Sequence, residues 1–192
     1  MENSELQKML KAHKLWIDSN KKQGEPANFR GADLRDVDLR EVDLSEANFY
    51  KANLRGCDLS GCDFYGSDLR EASFYESKLR GANFRGSDLR GVGFFGSDLR
   101  EANFCETDCY RASLRESDIR GSDIRRANFF KADIRGCDLR GVDFCETNLR
   151  ETCFYESNLY GANFRGSIIR GSDFCGTNLC EANLDFLVRN LA

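Results

Sequence analysis

His13 is the only histidine in a chain of 192 residues that also carries nine cysteines, 32 acidic and 28 basic side chains. These residue types could supply a thiol nucleophile with an imidazole base, a thiolate metal site, or a carboxylate pair for general acid–base work. Their placement argues against all three. The close pairs Cys57/Cys62, Cys105/Cys109 and Cys175/Cys180 lack the ligand spacing and partner histidine of a zinc site. Nine thiols are an odd number, and the chain starts polar and acidic at Met1-Glu2-Asn3-Ser4, without a secretory leader. The cysteines therefore read as small fillers in a reducing, cytoplasmic compartment. No G-x-x-x-x-G-K loop cradles a phosphate, and no 18-residue apolar run crosses a membrane. The expectation is a protein that is not an enzyme and holds no metal or cofactor.

The elements that position these residues are set by one period. Every fifth residue from Phe29 to Leu184 is Leu, Phe or Ile, apart from Cys109, giving 32 units in unbroken register. Two positions before each such centre stands Ala, Val, Ser, Thr or Cys, as in Ala27, Val37, Cys57 and Ser67. One position before is usually Asp or Asn; one after is most often Arg; two after is Gly or a charged residue, except for Phe186. A period of five fits neither a helix at 3.6 nor a strand at 2. Small and large apolar residues two apart share one side of extended backbone, and the remaining residues must turn a corner. Asp and Asn favour that corner by bonding nearby amides. Gly fills the last position in only 15 units, so a positive φ there is not expected to be obligatory.

The A-D/N-L-x-x pattern, as in Ala32-Asp33-Leu34-Arg35-Asp36 and Ala52-Asn53-Leu54-Arg55-Gly56, resembles the pentapeptide-repeat family over residues 27 to 186. The resemblance implies an all-β solenoid, a right-handed quadrilateral β-helix with four units per 20-residue coil, hence about eight coils. At ~4.8 Å per stacked strand the rod would be roughly 38 Å long.

Sorting the centres by 20 supports that coil. One column has no Phe and includes Leu59, Leu79 and Leu99; its neighbour includes Phe64, Phe84 and Phe104. These six form the expected core ladder. On another face the last positions alternate between an acid and Gly from Asp36 to Gly176. Such a narrow interior leaves no room for a substrate. Residues 1–25 read as a capping helix and linker, with a capping box at Ser4-Glu5-Leu6-Gln7 and Leu6, Leu10, His13 and Ile17 at helical spacing. Residues 26–184 are the repeats. Residues 185–192, with Phe186, Leu187, Val188 and Leu191, read as a short helical tail that caps the last coil or makes a dimer contact, leaving monomer and homodimer both open.

What remains is surface recognition. The leading expectation is a non-enzymatic scaffold binding another protein of unassigned identity. Its candidate surface is the outward aromatics Tyr75, Phe95, Tyr110 and Phe130, with self-stacking ladders as the structural alternative. The family resemblance implies a second reading, imitation of duplex DNA toward a type II topoisomerase such as gyrase. Residues 27–184 hold 27 acids and 22 bases, a net of −5. That excess is small for a DNA mimic, yet it disfavours direct nucleic-acid binding. The Arg column Arg80, Arg100, Arg120 and Arg140 is expected to be largely cancelled by Asp98, Asp118 and Asp138.

Overall fold

The computed structural model describes residues 3–35 and 37–184. Its logic is visible in one unit, Ser97-Asp98-Leu99-Arg100-Glu101, where each backbone N–H finds an acceptor. Ser97 N–H donates to Phe94 O (3.0 Å) and closes the preceding corner. Asp98 N–H donates to Ser77 O (3.1 Å) in the coil before, while Leu99 and Glu101 N–H donate to Asp118 O (2.8 Å) and Arg120 O (3.0 Å) in the coil after. Arg100 N–H donates to the Asp98 side chain (3.2 Å). Every backbone N–H of the unit is satisfied within the protein, which is why so short a segment can repeat without a helix or a long strand.

The same pattern sets the register. Parallel bridges join residues 20 apart, from Asn28 with Asn48 to Asn163 with Asn183. The chain is a solenoid that advances one turn every 20 residues. Its corners differ from the sequence expectation: φ is positive at every described last position, between 53° at Glu151 and 76° at Gly171, whether the residue is Gly, Glu, Lys or Arg. The i+3 to i hydrogen bond with positive φ at i+2 is the type II turn arrangement. Corner geometry is thus obligatory even where a side chain makes it costly.

Inside, the expected ladder residues Leu59, Phe64, Leu79, Phe84, Leu99 and Phe104 are fully buried. Phe64, Phe84 and Phe104 stack at centroid separations of 5.2 and 5.0 Å. They meet Phe74 and Phe94 of the opposite face edge-on, as at Phe84–Phe94 (5.6 Å). Stacked and edge-to-face contacts of this kind add to simple burial. The small positions do more than fill space. Ser77 Oγ donates to Leu54 O (2.7 Å), Cys62 Sγ to Leu39 O (2.7 Å) and Cys137 Sγ to Leu114 O (2.8 Å). Hydroxyls and thiols there tie successive coils together.

Helix α1 (Asn3–Asp18) closes the first coil. It starts one residue before Ser4, so Ser4 lies within the first turn and is not its cap. Leu6 is buried, and Met9 and Leu10 pack on the same core as Phe29 and Leu34. The His13 ring is buried, with Nδ1 accepting the Ala27 N–H (3.1 Å). Gly24 brings the chain back so close that a Cβ there would collide with Ala12 O. At the other end Ile169, Phe174, Leu179 and Leu184 are only partly buried. The expected helical tail at 185–192, with its role as cap or dimer contact, falls outside the described residues.

Candidate functional site

Since the centres fill the interior, the outer columns are where function can lie. The four faces are named by their first centres: Phe29, Leu34, Leu39 and Leu44. The aromatic candidates divide between two of them. Tyr75 and Phe95 meet edge-on at 6.1 Å on the Leu34 face, and Tyr110 and Phe130 are tilted at 5.6 Å on the Phe29 face. All four are half-buried. Tyr75 lies across Gly93, where a Cβ would collide with the ring. Guanidinium or ammonium groups cover three of them: Arg55 over Tyr75, Arg111 over Tyr110, and Lys131 and Arg150 over Phe130, all within 5.3 Å. Each pair is engaged along its own column, ring against ring of the neighbouring coil. Among the described residues the most exposed aromatics are Tyr65, Tyr155 and Tyr160.

The Arg column of the Leu39 face is paired. Arg100, Arg120 and Arg140 each bind the aspartate two residues earlier, at 2.5–2.7 Å. Arg100 and Arg120 also reach the aspartate of the next coil, Asp118 at 3.7 Å and Asp138 at 3.4 Å. Arg80, which follows Lys78, turns to Glu101 (2.7 Å). Hydrogen bonds from Arg100 and Arg140 hold the Asp98 and Asp138 carboxyls below their usual range against the opposing effect of burial. Near the N-terminal end, Arg35 and Arg40 hold Asp33 and Asp38 at about 2. Individually such exposed pairs add little to stability; along the ladder each guanidinium is matched by a carboxylate.

The glutamates of the alternating column lie over the glycines of the next coil, as where a Cβ at Gly136 would meet Glu116 Cγ at 3.5 Å and one at Gly176 would meet Glu156 Cγ at 3.3 Å.

A groove on the Leu44 face gathers Cys105, Cys145, Arg85, Arg125 and Arg126 with Asp123, Glu106 and Glu146. Its charges are spent on each other, in pairs such as Arg125–Asp123 (2.7 Å) and Arg126–Glu146 (2.8 Å). Burial pushes the Cys105 and Cys145 thiols up, away from nucleophilic thiolates. Among the described residues no group of three His, Cys, Asp or Glu is placed to hold a metal ion. No described helix is long and apolar enough to cross a membrane.

The pentapeptide-repeats family profile matches this chain in eight copies, over residues 27–61, 52–91, 94–129, 127–166 and 157–187. Among solved structures, two trypsin-treated variants of QnrB1, a plasmid-mediated fluoroquinolone resistance protein, are similar. One aligns at TM-score 0.51 with 16% identity over 85% of this chain and 87% of that one. The other aligns at 0.50 with 20% identity over 85% and 88%. HetL, a pentapeptide repeat protein involved in heterocyst differentiation regulation in the cyanobacterium Nostoc sp. strain PCC 7120, aligns at 0.35 with 22% identity over 82% and 89%. No curated protein matches the sequence.

Proposed function

The chain belongs to the pentapeptide-repeat family, and we propose that it is a non-enzymatic scaffold, a right-handed quadrilateral β-helix of about eight coils whose exterior binds another protein. The observation that carries this reading is the filled interior. Phe64, Phe84 and Phe104 and their neighbours are fully buried and stacked, so recognition falls to the outer columns. Cysteines such as Cys62, Cys109 and Cys137, buried as thiols, fit work in the reducing cytoplasm of a bacterium. The oligomeric state is monomer, or homodimer through 185–192.

The second reading is a DNA-mimicking binder of a type II topoisomerase such as gyrase. The likeness to QnrB1 favours it, and the modest net charge of −5 over residues 27–184 weighs against it. Two experiments test the pair. Affinity capture from the native host, followed by reconstitution with purified partner, supports the scaffold reading if a stoichiometric complex forms and opposes it if none does. A gyrase supercoiling assay with and without quinolone removes the second reading if the protein changes neither activity nor drug sensitivity.

A further inference from the structure

The outward charges are not spread evenly around the rod. The Phe29 face carries eight basic and five acidic side chains, a net of +3, while the Leu34, Leu39 and Leu44 faces carry nets of −3, −2 and −3. One positive stripe therefore runs between negative neighbours on a chain of net charge −4.

The stripe is not uniformly cancelled. Near its middle, Asp88 bridges Arg70 (3.6 Å) and Arg90 (2.5 Å). Further along, the acid is missing: the positions before the centres are Asn148 and Ile168, where the Arg ladder of the Leu39 face has aspartates. Arg150 and Arg170 follow those centres in adjacent coils. Among the described residues neither has a carboxylate partner; Arg150 Nε donates only to Asn148 (3.1 Å) and its guanidinium lies over Phe130 (5.2 Å). Glu151, beside them, is bound to Lys131 (3.5 Å). Two like charges at ladder spacing repel, and every other adjacent-coil Arg pair following the centres has at least one member bound to a carboxylate. Phe130, Arg150, Glu151 and Arg170 line one groove. Ile168, the only aliphatic residue at its position in the repeat, is 47% exposed, two residues before Arg170 and bridged to Asn148 of the coil before.

We propose that Phe130, Arg150, Ile168 and Arg170 dock an extended acidic segment of a partner protein, whose carboxylates bind the two guanidinium groups and whose apolar side chain covers Ile168. This rests on the reading that the exterior binds protein. A guanidinium stacked on a ring keeps its N–H edge free for a carboxylate fork. The exposed isoleucine calls for an apolar group that a phosphate backbone does not offer. The negative faces on both sides also repel a nucleic acid wider than the stripe. At about 3.3 Å per residue, some 12 extended residues span the roughly 38 Å rod.

The probe is a labelled peptide of about 12 residues alternating Glu and Leu, followed by fluorescence anisotropy with the full chain; a Gln/Leu peptide and an oligothymidylate are the comparisons. The expected result is binding of the Glu/Leu peptide alone, weakened by salt. An Arg150→Gln/Arg170→Gln variant should lose about tenfold or more in affinity, and Ile168→Asn a smaller factor. Arg55→Gln/Arg115→Gln, on the Leu34 face, should change it by less than about twofold. The Arg150/Arg170 variant should melt no lower than wild type, because it removes a repulsion. The proposal is overturned if the Glu/Leu peptide does not bind, if both double variants lose equally, if the oligothymidylate binds better at the same residues, or if the Arg150/Arg170 variant is destabilised. A reconstituted host partner retained equally by wild type and the Arg150/Arg170 variant would sink this site while leaving the scaffold reading intact.

Discussion

At the scale of single residues, burial decides the chemistry of groups that look reactive on paper. Desolvation pushes the thiols of Cys62, Cys109 and Cys137 up to about 12, so they stay protonated at neutral pH. Iodoacetamide on the native protein near neutral pH should label the exposed Cys175 and Cys180 and spare these three; intact-mass and peptide mapping read the result, and early labelling of Cys109 contradicts the packing. His13 is the other case. Burial lowers its pKa from 6.5, with Asp43 and Glu46 opposing. Nδ1 accepts from Ala27 while the buried Nε2 has no partner. Above pH 6.5 both folded and unfolded forms are neutral and the His13 contribution is complete. As pH falls below 6.5 the unfolded chain takes up the proton first, so this stability is lost as pH approaches the lower folded value. Denaturant titrations across that window should show a decline that His13→Gln flattens. The sequence identified His13 as a helix-face structural residue; its bond to Ala27 depends on a linker path that no local pattern encodes.

At the scale of the corner and the coil, the backbone imposes the same left-handed residue on Gly and Glu alike. Gly141 has φ 68°, and no neighbouring atom lies within 4 Å of where a Cβ would stand. Gly141→Ala therefore tests backbone strain alone and should cost about 1 kcal/mol. Glu116, at φ 58°, should accept Gly at little cost, the relief of strain offsetting the added chain entropy. Chemical denaturation of the two variants checks both signs. Phe84, stacked between Phe64 and Phe104, should cost about 3–5 kcal/mol on change to Ala. The period of five, the inward pairs and the Asx corners were all legible in the sequence. The obligatory positive φ was not, because half the corner residues are of types that normally avoid it. The coil-to-coil bonds from Ser, Thr and Cys were also hidden, since composition alone shows them as small residues.

At the scale of the whole molecule, repetition supplies what no single unit can. Each coil buries a few side chains against its neighbours, so stability is a sum over contacts between layers. The charge segregation among faces belongs to this scale too. It was present in the sequence but emerges only when residues are sorted by face and their partners are known. Phe130 was legible as a candidate, whereas Arg150, Ile168 and Arg170 gain meaning from the missing aspartates beside them. The direct test of the stacked solenoid is to compare two insertions after Leu99 by far-UV circular dichroism and thermal melting: one residue, or a duplicate of a full 20-residue coil. The single residue should throw every later centre out of register and abolish the cooperative transition, while the full coil should preserve the spectrum and the melting. Equal tolerance of the single-residue insertion, or equal damage from the full coil, would contradict the fold and everything built on its outer faces.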